Sequence, residues 1–246
     1  MTADDMSGGG ASAMAAVLAT PDGRQVFVKG ALTNDPQAEE LDLEHRISSH
    51  LPNFCPRTLW RVETAGWLLI AFEAIAGTHA DYAPNSPDLE SVTHALTVLS
   101  GTTAPPLPLL SAWDRWGYYC ADDDEPLLHG ETLLHTDLAA TNILMLTGQA
   151  RVIDWAWAAT GPAWADTALW AARLISDGGH STAEAARWAH KMPAFRTASP
   201  RAVAVLTQAE ASRWADLAAD GTPGIEGITR GSRLWADYWM SCETSG

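Results

Sequence analysis

Residues 133–157 read LLHTDLAATNILMLTGQARVIDWAW, and the rest of the chain is organised around this stretch. His135, Asp137 and Asn142 form a His-x-Asp-x-x-x-x-Asn pattern, and Ile153-Asp154-Trp155 follows after a short turn. The runs Ile143 to Leu146 and Val152 to Ile153 have strand character. Between them Thr147-Gly148-Gln149 reads as a hairpin loop in which glycine supplies the tight backbone. Such a hairpin carries Asn142 and Asp154 to the same end of two paired strands, beside the loop that holds Asp137. Three oxygen-bearing side chains then converge on one small volume.

That convergence is what phosphoryl transfer needs. Magnesium prefers hard oxygen ligands and keeps waters, so one carboxylate, one amide oxygen and nucleotide phosphates complete its shell. A separate carboxylate must orient the attacking hydroxyl and accept its proton. Asp137 is the candidate base, and Asn142 and Asp154 are the candidate ligands for Mg2+. The protein-kinase catalytic loop has the same Asp-to-Asn spacing, with a later Asp on the metal. Any one of these residues, taken singly, reads equally well as a solvated acid or a core histidine; only the joint pattern points to chemistry.

On these residues the chain resembles the aminoglycoside phosphotransferase family, small-molecule kinases with a protein-kinase-like fold. The resemblance covers His135, Asp137 and Asn142 in the catalytic loop, Asp154 in the metal-binding Ile-Asp-Trp, and Gly161-Pro162 with Asp166 downstream. It implies catalytic roles for Asp137 and His135 and a structural role for Asp166, bracing the loop. It also implies ATP or GTP as phosphoryl donor. Thr136 departs from the pattern, where glycine is commoner.

With 246 residues the chain has room for one sizeable domain or two lobes sharing a cleft. A hydrophobic content of 47% and 12 Trp argue for a packed globular protein. No run has the apolar length of a membrane span, and the start MTADD lacks the layout of a signal peptide. Cys55, Cys120 and Cys242 are far apart and fit reduced thiols in a cytoplasmic protein. The net charge of −15 argues against nucleic-acid and membrane partners and favours cationic ligands, though a solubility role explains most of it equally well.

Ahead of the core motif, Gly8, Gly9, Gly10 and Ser12 resemble the family's nucleotide loop; almost nothing precedes them, so a first strand is expected to be truncated or missing. Met14 to Leu18 and Gln25 to Lys29 read as a strand hairpin, with Lys29 placed like the phosphate-contacting lysine of kinase-like folds. Pro36 to Leu51 reads as a helix on which Glu44 is the expected partner of Lys29, with Glu40 the alternative. Two more strands follow around Thr64-Ala65-Gly66. Glu73 and Ile75 then fall in the segment that holds adenine through its backbone in similar kinases.

Residues 88–101 form an amphipathic helix and 102–110 a Thr/Pro-rich connector. The stretch 111–132 is abbreviated relative to the family, and its acidic run Asp122-Asp123-Asp124-Glu125 is either a solvated turn or a binding site for substrate amines. After Asp166 the chain reads as helical to the end, and Trp235, Asp237, Tyr238 and Trp239 on the last helix are candidate walls of a substrate pocket.

The expected architecture is α/β, a kinase-like two-lobe fold. Residues 1–74 would form a nucleotide-binding lobe with a small sheet and one helix, and residues 75–246 a mainly helical catalytic and substrate-binding lobe. The expected partner is a small-molecule hydroxyl acceptor, since the short Asp154-to-Asp166 segment leaves little room for a peptide platform. Three functions stay open: an antibiotic-type phosphotransferase, a metabolic kinase for a sugar, amino alcohol or nucleoside, and an inactive nucleotide-binding protein. Oligomeric state is not legible.

Overall fold

The β-branched and aromatic runs near the start pair into one antiparallel sheet. The computed structural model describes residues 3–5 and 13–243. Strands β1 (Ala3–Asp5), β2 (Met14–Ala19) and β3 (Gln25–Leu32) lead into helix α1 (Gln37–Ser48), then β4 (Thr58–Thr64) and β5 (Trp67–Glu73). The strand order is β1-β2-β3-β5-β4. A first strand therefore precedes the glycines, three residues long and paired with β2. Gly8, Gly9, Gly10 and Ser12 lie outside the described residues.

Alternation along β3 puts Phe27, Lys29 and Ala31 on one face and Val26 and Val28 on the other. The Lys29 face is covered by α1, whose Ala38 and Leu41 pack with Ala31, Leu68, Ile70 and Phe72. Lys29 thus projects toward α1, where it meets Glu44.

The rest of the chain is mainly helical, with short strands where it meets the first lobe. In order come β6 (Thr78–His79), α2 (Asp88–Leu99), β7 (Leu110–Ser111), α3 (Ala112–Trp116), β8 (Thr132–Leu134), β9 (Ile143–Leu146), β10 (Gln149–Val152) and β11 (Ala159–Gly161). Helices α4 (Ala165–Ser176), α5 (Thr182–Ala189), α6 (Pro193–Arg196), α7 (Pro200–Ala219) and α8 (Glu226–Glu243) follow. The expected hairpin is β9–β10. Its turn is tighter than expected, because Gln149 already pairs with Leu146 and only Thr147 and Gly148 turn, both at positive φ (50° and 75°).

Helix α4 is the axis of this lobe. Ten of its twelve residues are buried, and the indole of Trp235 on α8 donates to Ala168 O at 3.0 Å. Its last turn emerges beside the loop that follows β8, which is how a core helix comes to present Arg173 to Asp137.

Candidate active site

Strand β8 delivers the chain to His135, and the loop that follows is held by its own backbone. His135 N–H and Thr136 N–H donate to the two oxygens of Asp166, at 2.8 and 2.9 Å. Burial pushes the Asp166 carboxyl up, and these two donors hold the anion against that. The His135 ring is fully buried, edge-on to Trp155. Its Nε2 lies 2.8 Å from Ile153 O, and its Nδ1 receives Asp137 N–H at 3.2 Å. A carbonyl needs a donor and an amide needs an acceptor, so these partners select the neutral Nε2–H tautomer.

Thr136 has φ 69°, in the left-handed region that favours glycine. That explains why glycine is the commoner residue here. Threonine is held in place by its N–H on Asp166 and by its hydroxyl on Trp157 O at 2.8 Å. Asp154 is also strained, at φ 65°.

Asn142 joins the Asp137 loop, through its side chain, to the strand end that carries Asp154, through its backbone. The Asn142 amide donates to both Asp137 O and Asp137 Oδ2 at 3.0 Å. Ile153 N–H closes the hairpin on Asn142 O at 3.0 Å. From the first lobe, the Lys29 ammonium reaches Glu44 Oε2 at 2.8 Å and Asp154 Oδ1 at 2.8 Å. Burial alone would push Lys29 down, but the two carboxylates outweigh it and hold the ammonium above its ordinary range. Glu44 also receives Trp155 N–H at 3.2 Å, so one glutamate ties α1 to both partners.

The Asn142 amide oxygen and the Asp154 carboxylate are hard donors of the kind magnesium takes while keeping other oxygens in its shell. Among the described residues no three His, Cys, Asp or Glu gather into a protein-only metal cage. The Asn142–Asp154 pair suits an ion whose shell is completed by phosphate.

No protein-family model and no curated protein matches the chain. Solved structures do. A thermostable mutant of aminoglycoside phosphotransferase APH(4)-Ia superposes with a TM-score of 0.64 at 13% identity, covering 98% of this chain and 95% of that one. The chain has the aminoglycoside phosphotransferase fold. Choline kinase LicA from Streptococcus pneumoniae matches with a TM-score of 0.63 at 14% identity, over 97% of this chain and 93% of that one. Macrolide 2'-phosphotransferase MphH from Brachybacterium faecium gives 0.58 at 16% identity, over 94% and 91%.

Within this phosphotransferase fold the other expected site residues scatter. His135 is corrected from a catalytic to a positioning residue, since a ring with no exposure and both nitrogens engaged has no face for a substrate. Trp235 and Trp239 are core residues, 1% and 6% exposed, and Trp239 stacks on His190. Asp237 pairs with Arg233 along the exposed face of α8. Asp124 is buried against Arg201 at the start of α7, while Arg213 near that helix's other end approaches Asp137. Twelve residues of helix separate the two by about 18 Å, so the turn carrying Asp122, Asp124 and Glu125 is remote from the loop. The acidic run is not part of the candidate site.

Glu73 ends β5, and its carboxylate accepts from Arg57 N–H at 3.0 Å. From Ala74 through Ile75 to Gly77 the chain pairs with no strand, which leaves backbone groups available beside the cleft. Two clefts, of about 560 and 930 Å³, open behind α1 and on the Val26 face of the sheet. Neither includes Lys29, Asp137 or Asp154 in its lining.

Several residues of this junction carry no sequence signal. Arg173 Nη2 lies 2.6 Å from Asp137 Oδ1, thirty-six positions away in sequence. Tyr82 Oη donates to Leu138 O at 3.0 Å, bracing the loop from the start of the helical lobe. Only the seven-residue step from Asp166 to Arg173, two turns on one helix face, hinted that both face the loop.

Proposed function

We propose that the chain is an ATP-dependent small-molecule kinase, transferring the γ-phosphoryl group to a hydroxyl of a natural product, antibiotics among them. Residues 1–74 form its nucleotide lobe and 75–246 its catalytic and acceptor lobe. The observation that carries the reading is the Lys29 bridge. A buried ammonium lies 2.8 Å from both Glu44 and Asp154, and Asp154 directly follows Ile153, whose N–H bonds to Asn142 O. Lys29 grips phosphate oxygens, and Glu44 keeps it charged and aimed. Asp137 accepts the hydroxyl proton as the new oxygen–phosphorus bond forms and the bond to the β,γ-bridging oxygen breaks, leaving ADP. Asn142 and Asp154 would hold magnesium, which neutralises charge on the phosphate oxygens. His135 and Asp166 fix the loop so that Asp137 stays within reach of the acceptor. The backbone from Glu73 to Ile75 and the Gly8–Gly9–Gly10–Ser12 segment take the nucleotide.

The fold supports this class without selecting the acceptor: the matched structures are named for aminoglycosides, choline and macrolides. Calorimetric titration with ATP, with and without magnesium, tests the first half. Binding is expected to require magnesium and to suffer more from Asp154→Ala than from Asn142→Ala, because the former removes a charge as well as a ligand. Magnesium-independent binding overturns the metal assignment. ADP release with a panel of hydroxylated compounds tests the second half; nucleotide binding without any turnover favours an inactive nucleotide-binding protein.

A further inference from the structure

The chain is strongly acidic, with 15 Lys and Arg against 30 Asp and Glu. Yet the groups around Asp137 reverse that sign. Arg173 sits on its carboxylate at 2.6 Å, and Arg115 and Arg213 are both close enough to interact with it. Arg173 and Arg213 lie over the ring of Trp214, their guanidinium carbons 5.3 and 4.7 Å from its centroid.

The acids nearby are already engaged. Glu210 accepts from the indoles of Trp116 and Trp214 at 2.7 and 2.6 Å and from Arg213 at 3.0 and 3.2 Å. Asp216 accepts from Tyr119 Oη at 3.0 Å, and Asp177 from Ser176 and Ala140. Glu40, near Arg115, is pushed up by burial. Among the described residues Arg173 therefore has one anionic partner, Asp137, and its side chain is only 15% exposed.

Phosphoryl transfer requires an acceptor hydroxyl to compete with Arg173 for that carboxylate. The guanidinium then needs a replacement anion in a place where water is scarce. We infer that the acceptor supplies it: a hydroxylated compound bearing a carboxylate or phosphate, held by the Arg173 fork with the Arg213–Trp214 wall behind it. This rests on the kinase reading above and names its acceptor class. A planar fork with parallel donors matches such a group in two-point contact, whereas an ammonium would be repelled.

The test uses matched acceptors with magnesium and ATP, read as ADP release: gluconate against glucose, galacturonate against galactose, glycerate against glycerol, and glucosamine as the cation. The expected result is kcat/KM at least tenfold higher for anionic members. Arg173→Gln should bring that ratio toward one, mainly through KM of the anionic member, and Arg173→Lys should restore part of it. A thermal melt checks that each variant is folded, and if Arg173→Gln is not, the wild-type ratio with Arg173→Lys decides. Preference for neutral or cationic members overturns the inference. So does a failure of every anionic member to exceed the acceptor-free rate, or a ratio that survives Arg173→Gln, which would mean that the guanidinium serves only the base or the phosphoryl group. Calorimetry with ATP and magnesium on the same preparation separates the two failures: without nucleotide binding the kinase reading falls, and with it only the acceptor class does.

Discussion

The two sides of the lobe junction are built differently. On the side proposed for the nucleotide, Lys29 joins Glu44 and Asp154 in a compact cluster about one buried ammonium. On the side proposed for the acceptor, Asp137, Arg173, Trp214, Arg213 and Glu210 form a spread wall, similarly buried, drawn from the loop after β8 and two helices. A nucleotide presents the same phosphates to any kinase, so its side is served by fixed charges at fixed spacing. An acceptor varies, and its side is made of helix faces that can change without disturbing the loop. The difference also governs what a mutation does: one side should fail in stability and nucleotide binding, the other in acceptor KM.

Lys29→Met should have the largest effect. It leaves Glu44 and Asp154 without their cation, at a cost of about 3–5 kcal/mol for a broken buried pair. A thermal melt should fall sharply and ATP affinity with it; an unchanged melting temperature would dissolve the contrast between a compact corner and a spread wall. The raised Lys29 value also fixes a sign. Its contribution is complete below the ordinary lysine range and is lost only as pH rises through the raised folded value, so stability from this pair should be flat across neutral pH.

Asp137→Asn comes next. It preserves shape but removes the proton acceptor, so turnover should fall by roughly 10²-fold or more while ATP binding stays nearly intact. Near-normal turnover would remove Asp137 from the mechanism. Glu210→Gln probes the wall alone. It strips four donors of a shared carboxylate, worth about 1.5–3 kcal/mol for a hydrogen bond to a charged group. Acceptor KM should rise with the ATP KM unmoved; parallel rises in both would show the wall to be coupled to the nucleotide corner.

Thr136→Gly acts at the seam. Relief of a left-handed threonine is worth about 1 kcal/mol or more, offset by the lost hydroxyl bond to Trp157 O and by added chain freedom in the unfolded state. The net change in denaturant midpoint should be small, and a large loss would mean that the Trp157 contact, not Asp166, holds the loop. Asp122→Asn should do least: the acidic run lies at the far end of α7, so turnover and its salt dependence should not move.

The strands of the first sheet, α1 with Glu44 on its inner face, and the hairpin carrying Asn142 and Asp154 were legible because each is a local pattern. Alternation, helical spacing and a two-residue turn with glycine are set within a few residues. The loop motif was legible for the same reason, although its first member was misread. His135 looks catalytic in a string, and only its burial against Trp155 and its two satisfied nitrogens reveal a brace. The acidic run and the tryptophans of the last helix were misplaced on the opposite ground, since nothing local says which end of a long helix meets the cleft.

The sequence by itself therefore determined that Asp137, Asn142 and Asp154 gather at the junction, because residues within one loop and one hairpin are positioned by short-range geometry. The tertiary structure alone decided the character of the acceptor wall. Arg173 meets Asp137 and Trp214 only after α4 has been buried as the axis of its lobe and α7 packed across it. Long-range packing selects which helix faces converge, and the composition of a face carries no record of what it will be packed against.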